Sequence, residues 1–416
     1  MQPLARRHFL GLAGASAAVS ALPLPAVAAS PDGPAPLPSK AVPIGVAERN
    51  ARIAKVQKLM RAQGLAALLV EPGSALVYFT GVQWWRSERL TAAIIPAEGE
   101  ICVVTPFFEE PSIRESLALP AEIRTWNEDE DPLKLVAGWL ADRKLTGPIG
   151  VEETVRYFAI DGLKRALPGA DIRSGAAVVR GCRMIKSPAE LALMQRASDI
   201  TIAALGHTYP RIQKGMTPSD ITAMIVAATR TLGGEADGAL VLLGEASAYP
   251  HGSGKPQAVR EGEVVLIDCG CSVEGYASDI SRTFVFGEPA RRQREVWAHM
   301  HRGQQIAFAA ARVGAPAGSV DDAVRAYYEK LGYGPGYKLP GLSHRTGHGI
   351  GMDGHEPVNL VHGETTPLAP GMCFSNEPGL YLPGQFGIRL EDCFYMTASG
   401  PRYFSEPPPS LDKPFG

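Results

Sequence analysis

Two pairs of carboxylates in this chain are spaced as hairpin partners. Val264-Val-Leu-Ile-Asp268 reads as an apolar strand, a Gly275-containing turn follows, and Tyr276-Ala-Ser278-Asp279 opens a return strand. A hairpin closing over 272–275 would set Asp268 directly opposite Asp279, with Cβ atoms about 5 Å apart on one face. Glu377 and Glu391 stand symmetrically about Gly384 in Leu-Pro383-Gly384-Gln, so a second hairpin would repeat the device. Like charges held opposite each other destabilise a sheet unless a shared proton or a bound cation offsets them. One divalent ion would leave four carboxylates half compensated, and two would balance them. His348, in Gly347-His348-Gly349-Ile350-Gly351, adds an imidazole where flanking glycines let backbone approach closely. Four carboxylates and one imidazole form an oxygen-rich ligand set that suits Mn, Co, Fe or Zn. Cys269 and Cys271 lie beside this cluster, but strand alternation turns them to the opposite face, as core residues.

Positioning such a cluster requires a sheet-rich body, and the chain reads that way. After a Pro-rich stretch, Val46–Gln63 reads as an amphipathic helix stopped by Gly64. Apolar runs at 66–70, 75–80, 90–96 and 101–106 read as strands, 132–145 and 158–167 as helices, and 148–151 as a strand between them. That alternation predicts an α/β domain over 46–182. The acidic run Glu128-Asp129-Glu130-Asp131 reads as a solvated loop. A second domain, 183–416, is expected to be α+β. Ser187-Pro188-Ala189-Glu190 and Thr217-Pro218-Ser219-Asp220 each have the pattern of a capping box with Pro at the first helical position. Further helices are expected near 289–312 and 319–331, followed by a glycine-punctuated β-rich stretch to about 405.

The constellation resembles the pita-bread metallopeptidases, meaning prolidase and aminopeptidase P with their relatives methionine aminopeptidase and creatinase. The residues that carry the resemblance are Arg183-Met-Ile-Lys-Ser-Pro188-Ala-Glu190, Asp268, Gly275-Tyr276, Ser278-Asp279, Arg282-Thr283-Phe284, Gly-His348-Gly-Ile-Gly-Met-Asp-Gly-His355-Glu-Pro357, Asn376-Glu377-Pro378-Gly379 and Arg389-Leu-Glu391. All five family metal positions are filled, which disfavours creatinase. The resemblance implies a creatinase-like N-terminal domain and a pita-bread catalytic domain. By the same resemblance Asp268 chelates one metal, Asp279 and Glu391 bridge both, and His348 and Glu377 complete the other. Two such ions lower the pKa of a shared water and polarise the scissile carbonyl. The resemblance also makes Glu377 the proton shuttle, and His251 and His355 the groups that bind substrate and stabilise the developing oxyanion. Arg389 lies two residues before Glu391, on the same strand face, and can orient a carboxylate ligand. His344, four residues before His348, stands as a further supporting candidate.

The expected reaction is cleavage of Xaa-Pro bonds in di- or oligopeptides, with two divalent ions, Mn first and Co or Zn next. Prolidase-like dipeptidase activity is the leading expectation and aminopeptidase P-like activity the second. A metal-free pita-bread peptide-binding module and a hydrolase of organophosphate esters are the rivals from other classes. Trp84-Trp85-Arg86, after Tyr78-Phe79-Thr80-Gly81, are candidate anchors between subunits of a homodimer or higher homo-oligomer. The whole-chain balance of 41 Lys+Arg against 43 Asp+Glu over 416 residues argues against nucleic acid as a partner. Six Cys are too few for a disulfide scaffold at this length. Residues 1–29, with Arg6-Arg7 before Phe9-Leu10, an Ala/Gly-rich middle and Ala26-Val27-Ala28-Ala29, resemble a twin-arginine export signal, implying a periplasmic destination. The next stretch, 30–45, reads as a Pro-rich linker. Downstream of the signal no run of 18 apolar residues occurs, so no membrane span is expected in the mature protein.

Overall fold

The computed structural model describes residues 33–236 and 238–415. The export-signal reading of residues 1–29 therefore lies outside the described residues. No helix among them is long and apolar enough to cross a membrane. The Pro-rich segment from 34 to 45 forms no helix or strand, yet Leu37 packs beside Ala197, and Arg196 donates to the carbonyls of Leu37 and Pro38.

Residues 46–183 build a six-stranded mixed sheet in the spatial order 122–126, 102–106, 92–96, 67–70, 149–151, 172–174. The Ala67–Val70 strand is apolar at every position because it is covered on both sides. Leu68 and Val70 pack under the Val46–Ala62 and Ala176–Arg183 helices, while Ala67 and Leu69 face Trp139 and Leu163 of the helices on the other side. Residues 75–80, expected as a strand, lie in the helix Ser74–Thr80 instead. The two slots beside Ala67–Val70 are already taken, by 92–96 antiparallel and 149–151 parallel. Gly81, at a φ of 83°, then closes the helix in the left-handed conformation. A short apolar run does not distinguish a buried helix from a strand by periodicity.

Beyond residue 183 both expected capping boxes are formed, opening the Pro188–Thr208 and Pro218–Thr231 helices. Helices Arg291–Ala310 and Gly318–Lys330 back the sheets through Met300, Val320 and Val324. One sheet runs 280–285, 264–269, 240–243; a second runs 356–360, 347–349, 373–376, 392–397, 400–403; strands 379–382 and 386–389 form a hairpin between them. A bridge between Ser281 and Glu391 joins the first sheet to the strand that follows that hairpin.

The register of the first carboxylate hairpin differs from expectation. Asp268 lies opposite Ser281, and Asp279 sits one diagonal step away on the same face. The cause is the turn: Glu274 and Gly275 both take positive φ (51° and 77°), so the hairpin closes on these two residues. Between its two ladders the strands nearly touch, and a Cβ on Gly270 would stand 2.0 Å from the carbonyl oxygen of Ser278. The second hairpin has the expected register. Gly379 pairs with Arg389 on one side and Asn376 with Asp392 on the other, which puts Glu377 and Glu391 opposite each other between the two ladders.

Buried polar contacts fix residues 46–183 against the second half. Arg52 donates to the Tyr276 hydroxyl (2.9 Å), which donates to Glu190 (2.9 Å). Lys186 and Arg183 both reach Glu356, the residue after His355.

Candidate metal centre

The strands converge so that every site residue expected from sequence lines one cavity of about 470 Å³: His251, Asp268, Asp279, His344, His348, His355, Glu377, Arg389 and Glu391. Three overlapping ligand groups form there, Asp268–Asp279–Glu391, His348–Glu377–Glu391 and Asp279–His348–His355, each with ligand atoms within 4.8 Å of one another. Backbone closeness around His348 has the expected cause. A Cβ on Gly347 would lie 2.1 Å from the Ser375 carbonyl oxygen, and one on Gly349 2.6 Å from that of Glu356. His348 Nδ1 is 3.1 Å from the Gly349 carbonyl oxygen, a contact that holds the ring with Nε2 turned into the cavity. That Nε2 faces Glu377 Oε1 at 3.2 Å, Asp279 Oδ2 at 3.8 Å and Glu391 Oε1 at 4.0 Å.

Arg389 is the hub on the cationic side. It donates to Asp268 Oδ2 (2.6 Å), Ser281 Oγ (3.0 Å), the Tyr381 hydroxyl (3.2 Å) and the Pro250 carbonyl (3.1 Å), the last next to His251. Tyr381 also bonds His344 Nε2 (2.8 Å), whose Nδ1 lies 2.7 Å from the Arg345 carbonyl oxygen. Ser281 Oγ is 2.9 Å from both Asp268 Oδ1 and Glu391 Oε2. Sequence reading passed over Ser281, although it lies two residues after Asp279 and alternation gives it the same face. It also passed over Tyr381, Tyr337 and Arg345. Arg345 sits in an irregular segment that no spacing rule reaches. Trp84 and Trp85 stack at 4.6 Å, with Trp85 67% exposed, away from this cavity.

The electrostatics call for cations. Burial, together with the charges of neighbouring carboxylates, pushes Asp279 and Glu391 well above the usual carboxylate range. Burial works the same way on Glu377, but the hydrogen bond to His348 and the neighbouring His344 and Arg389 outweigh it and bring Glu377 to about 2. Burial also lowers His344 and His355, which keeps both imidazoles neutral at pH 7. Glu391 Oε1 is buried without a hydrogen-bond partner among the described residues, an arrangement that is costly unless something else meets the lone pair. Carboxylate oxygens and a neutral imidazole nitrogen fit divalent ions as the missing partner. Cys269 and Cys271 are buried free thiols packed into apolar clusters rather than ligands.

Comparison with known proteins agrees with this geometry. Residues 192–398 match the model of metallopeptidase family M24, and residues 52–185 that of the creatinase/prolidase N-terminal domain. A probable dipeptidase PepE of Mycobacterium tuberculosis is 34% identical over 351 residues, covering 81% of this chain and 89% of that one. An Xaa-Pro dipeptidase of Lactobacillus helveticus is 32% identical over 343 residues, 79% of this chain and 89% of the other. The crystal structure of dipeptidase PepE from Mycobacterium ulcerans superposes with a TM-score of 0.80 at 30% identity, covering 89% of this chain and 99% of that one. The chain belongs to metallopeptidase family M24, with a creatinase/prolidase N-terminal domain ahead of the catalytic one. It is a hydrolase, and membership implies a pair of divalent metal ions.

Proposed function

We propose that the protein hydrolyses Xaa-Pro bonds, and does so as a dipeptidase. Relatives named dipeptidase and Xaa-Pro dipeptidase support the reaction class. The observation that carries the preference for dipeptides is Arg345. Its guanidinium lines the cavity and donates to Asn359 Oδ1 (3.0 Å), yet among the described residues no carboxylate lies within ion-pair distance of it. Asn359 is the register partner of His348 and so shares its face. An unneutralised cation beside an amide, at the wall of the reaction site, suits the free carboxylate of a dipeptide.

Asp268, Asp279, His348, Glu377 and Glu391 would hold two divalent ions, with Mn the leading candidate for an oxygen-rich set and Co or Zn next. Bound there, the ions would supply Lewis acidity and ready ionisation of water at neutral pH. Glu377, ionised at that pH, accepts the proton of the attacking water and returns it to the leaving proline nitrogen. His355, kept neutral, offers an N–H to the oxyanion as it develops, and His251, which lines the same cavity, binds the substrate. Arg389 holds Asp268 and the carbonyl next to His251 in one arrangement, so ligand and substrate groups are set together.

A substrate series tests the dipeptide reading. Wild type should cleave Ala-Pro well ahead of Ala-Pro-amide and Ala-Pro-Ala. Arg345→Met should raise KM for Ala-Pro roughly 10–100-fold, as expected for losing a hydrogen-bonded charge, and leave the amide unchanged. Equal or faster tripeptide cleavage by wild type would instead favour an aminopeptidase P-like enzyme. The twin-arginine pattern supports export to the periplasm, checked by whether Arg6→Lys with Arg7→Lys leaves activity in the cytoplasm. Exposed Trp85 supports a homodimer, which a single-chain mass in sedimentation equilibrium would contradict.

A further inference from the structure

At three strands of the site a buried polar residue stands beside a ligand or its contact in the chain, turned to the opposite face. The pairs are Ser281 with Arg282, Glu391 with Asp392, and Glu377 with Asn376. Behind the carboxylates, these second members join into one network. Arg282 Nη1 donates to the main-chain carbonyls of Ser281 and Glu391 (both 3.0 Å), and its Nη2 donates to Asp392 Oδ1 (2.7 Å). Asp392 also accepts from Gln304 (3.1 Å) and Ser405 (2.6 Å). Gln304, on the Arg291–Ala310 helix, donates to the Asn376 carbonyl (3.3 Å) and accepts at its own carbonyl from the Asn376 amide (2.9 Å). Arg282 and Asp392 are almost wholly buried, with side-chain exposures of 1% and 0%.

We infer that Arg282, Asp392 and Gln304 are positioning residues for the metal centre: they fix the separation of Glu377 and Glu391 and thereby set its affinity for divalent ions. Glu391 forms the bridge to Ser281, and Arg282 clasps both main-chain carbonyls of that bridge, so the backbone that carries the Glu391 carboxylate cannot shift without breaking a buried guanidinium contact. Gln304 ties the strand ahead of Glu377 to the same aspartate. A network that merely filled the core would not need to bond the backbone at two ligand strands. Three of its buried atoms, Arg282 Nε, Gln304 Oε1 and Asn376 Oδ1, have no hydrogen-bond partner among the described residues. Such unmet bonds cost stability, and they mark a polar arrangement kept for geometry that an apolar core would not provide. The inference rests on the metal-centre reading and extends it to residues that touch neither ion nor substrate.

The test is calorimetric titration of chelator-treated protein with Mn²⁺ and with Co²⁺, on wild type, Asp392→Asn, Gln304→Met and Arg282→Lys. Groups that support metal ligands typically change affinity 10–100-fold when altered. The expected result is a 10–100-fold rise in Kd for Asp392→Asn and Gln304→Met, with altered Co²⁺ absorption bands, turnover restored by excess metal, and a smaller rise for Arg282→Lys. Should Arg282→Lys not fold, the two near-isosteric variants still decide. Variants that melt earlier in the metal-free state but bind both ions with wild-type Kd and spectra would show a packing role only and overturn the inference. A wild-type protein that binds no divalent ion would overturn the metal-centre reading itself.

Discussion

The two faces of the same three strands handle buried charge in opposite ways. On the rear face Asp392 meets Arg282, so the protein supplies its own counterion. Glu356, beside the site, is treated likewise: burial opposes its ionisation, but Lys186 and Arg183 outweigh this and hold it below the ordinary range. On the front face Asp279, Glu377 and Glu391 crowd together with Asp268 of the neighbouring strand, among the described residues Arg389 is the one guanidinium bonded to this group, and Asp279 and Glu391 are pushed up. The contrast teaches that buried acids alone do not mark a site. A buried acid without a protein cation does, because the balance must come from bound ions or retained protons.

Breaking the front face should have the largest effect on function and the mildest on the fold. Asp279→Asn should lower turnover at least about a thousand-fold, since a metal pair contributes several kcal/mol to the transition state. It should leave the metal-free protein as stable as wild type or more so, because a like charge is removed; equal metal stoichiometry and activity would count against Asp279 as a ligand. Breaking the rear face should do the reverse in order of severity. Arg282→Met strands a buried carboxylate and should cost about 3–5 kcal/mol in urea unfolding; a loss near zero would mean Asp392 finds another partner. The smallest effect is on pH dependence. Acids raised in the folded state contribute stability below their unfolded pKa of about 4 and lose it as pH rises toward the folded value. Metal-free protein should therefore lose thermal stability above about pH 4, and Asp279→Asn should flatten that slope. Glu356, lowered, acts oppositely and loses its contribution as pH falls.

Much of the site was legible because its ligands lie on the strands of hairpins or in the extended stretches between their ladders, where a period of two and a turn centre determine which side chains share a face. That arithmetic placed Glu377 opposite Glu391 correctly. It missed by one diagonal step at Asp268, since it could not tell that Glu274, a non-glycine, would take positive φ in the turn. The helix at 74–80 was hidden because an apolar heptad looks alike in either state until neighbouring strands claim the sheet positions. Capping boxes at Ser187 and Thr217 were readable because their signal is local. Arg345 and the Gln304–Asp392 contact were not, as they depend on which distant segments meet.

The most direct test is to strip the protein with chelator, titrate Mn²⁺ back by calorimetry and follow Ala-Pro hydrolysis on the same samples. Two ions bound per chain, with hydrolysis appearing as they bind, is the predicted result. Ala-Pro hydrolysis that persists without metal, or a protein that takes up no Mn²⁺, Co²⁺ or Zn²⁺, would contradict it.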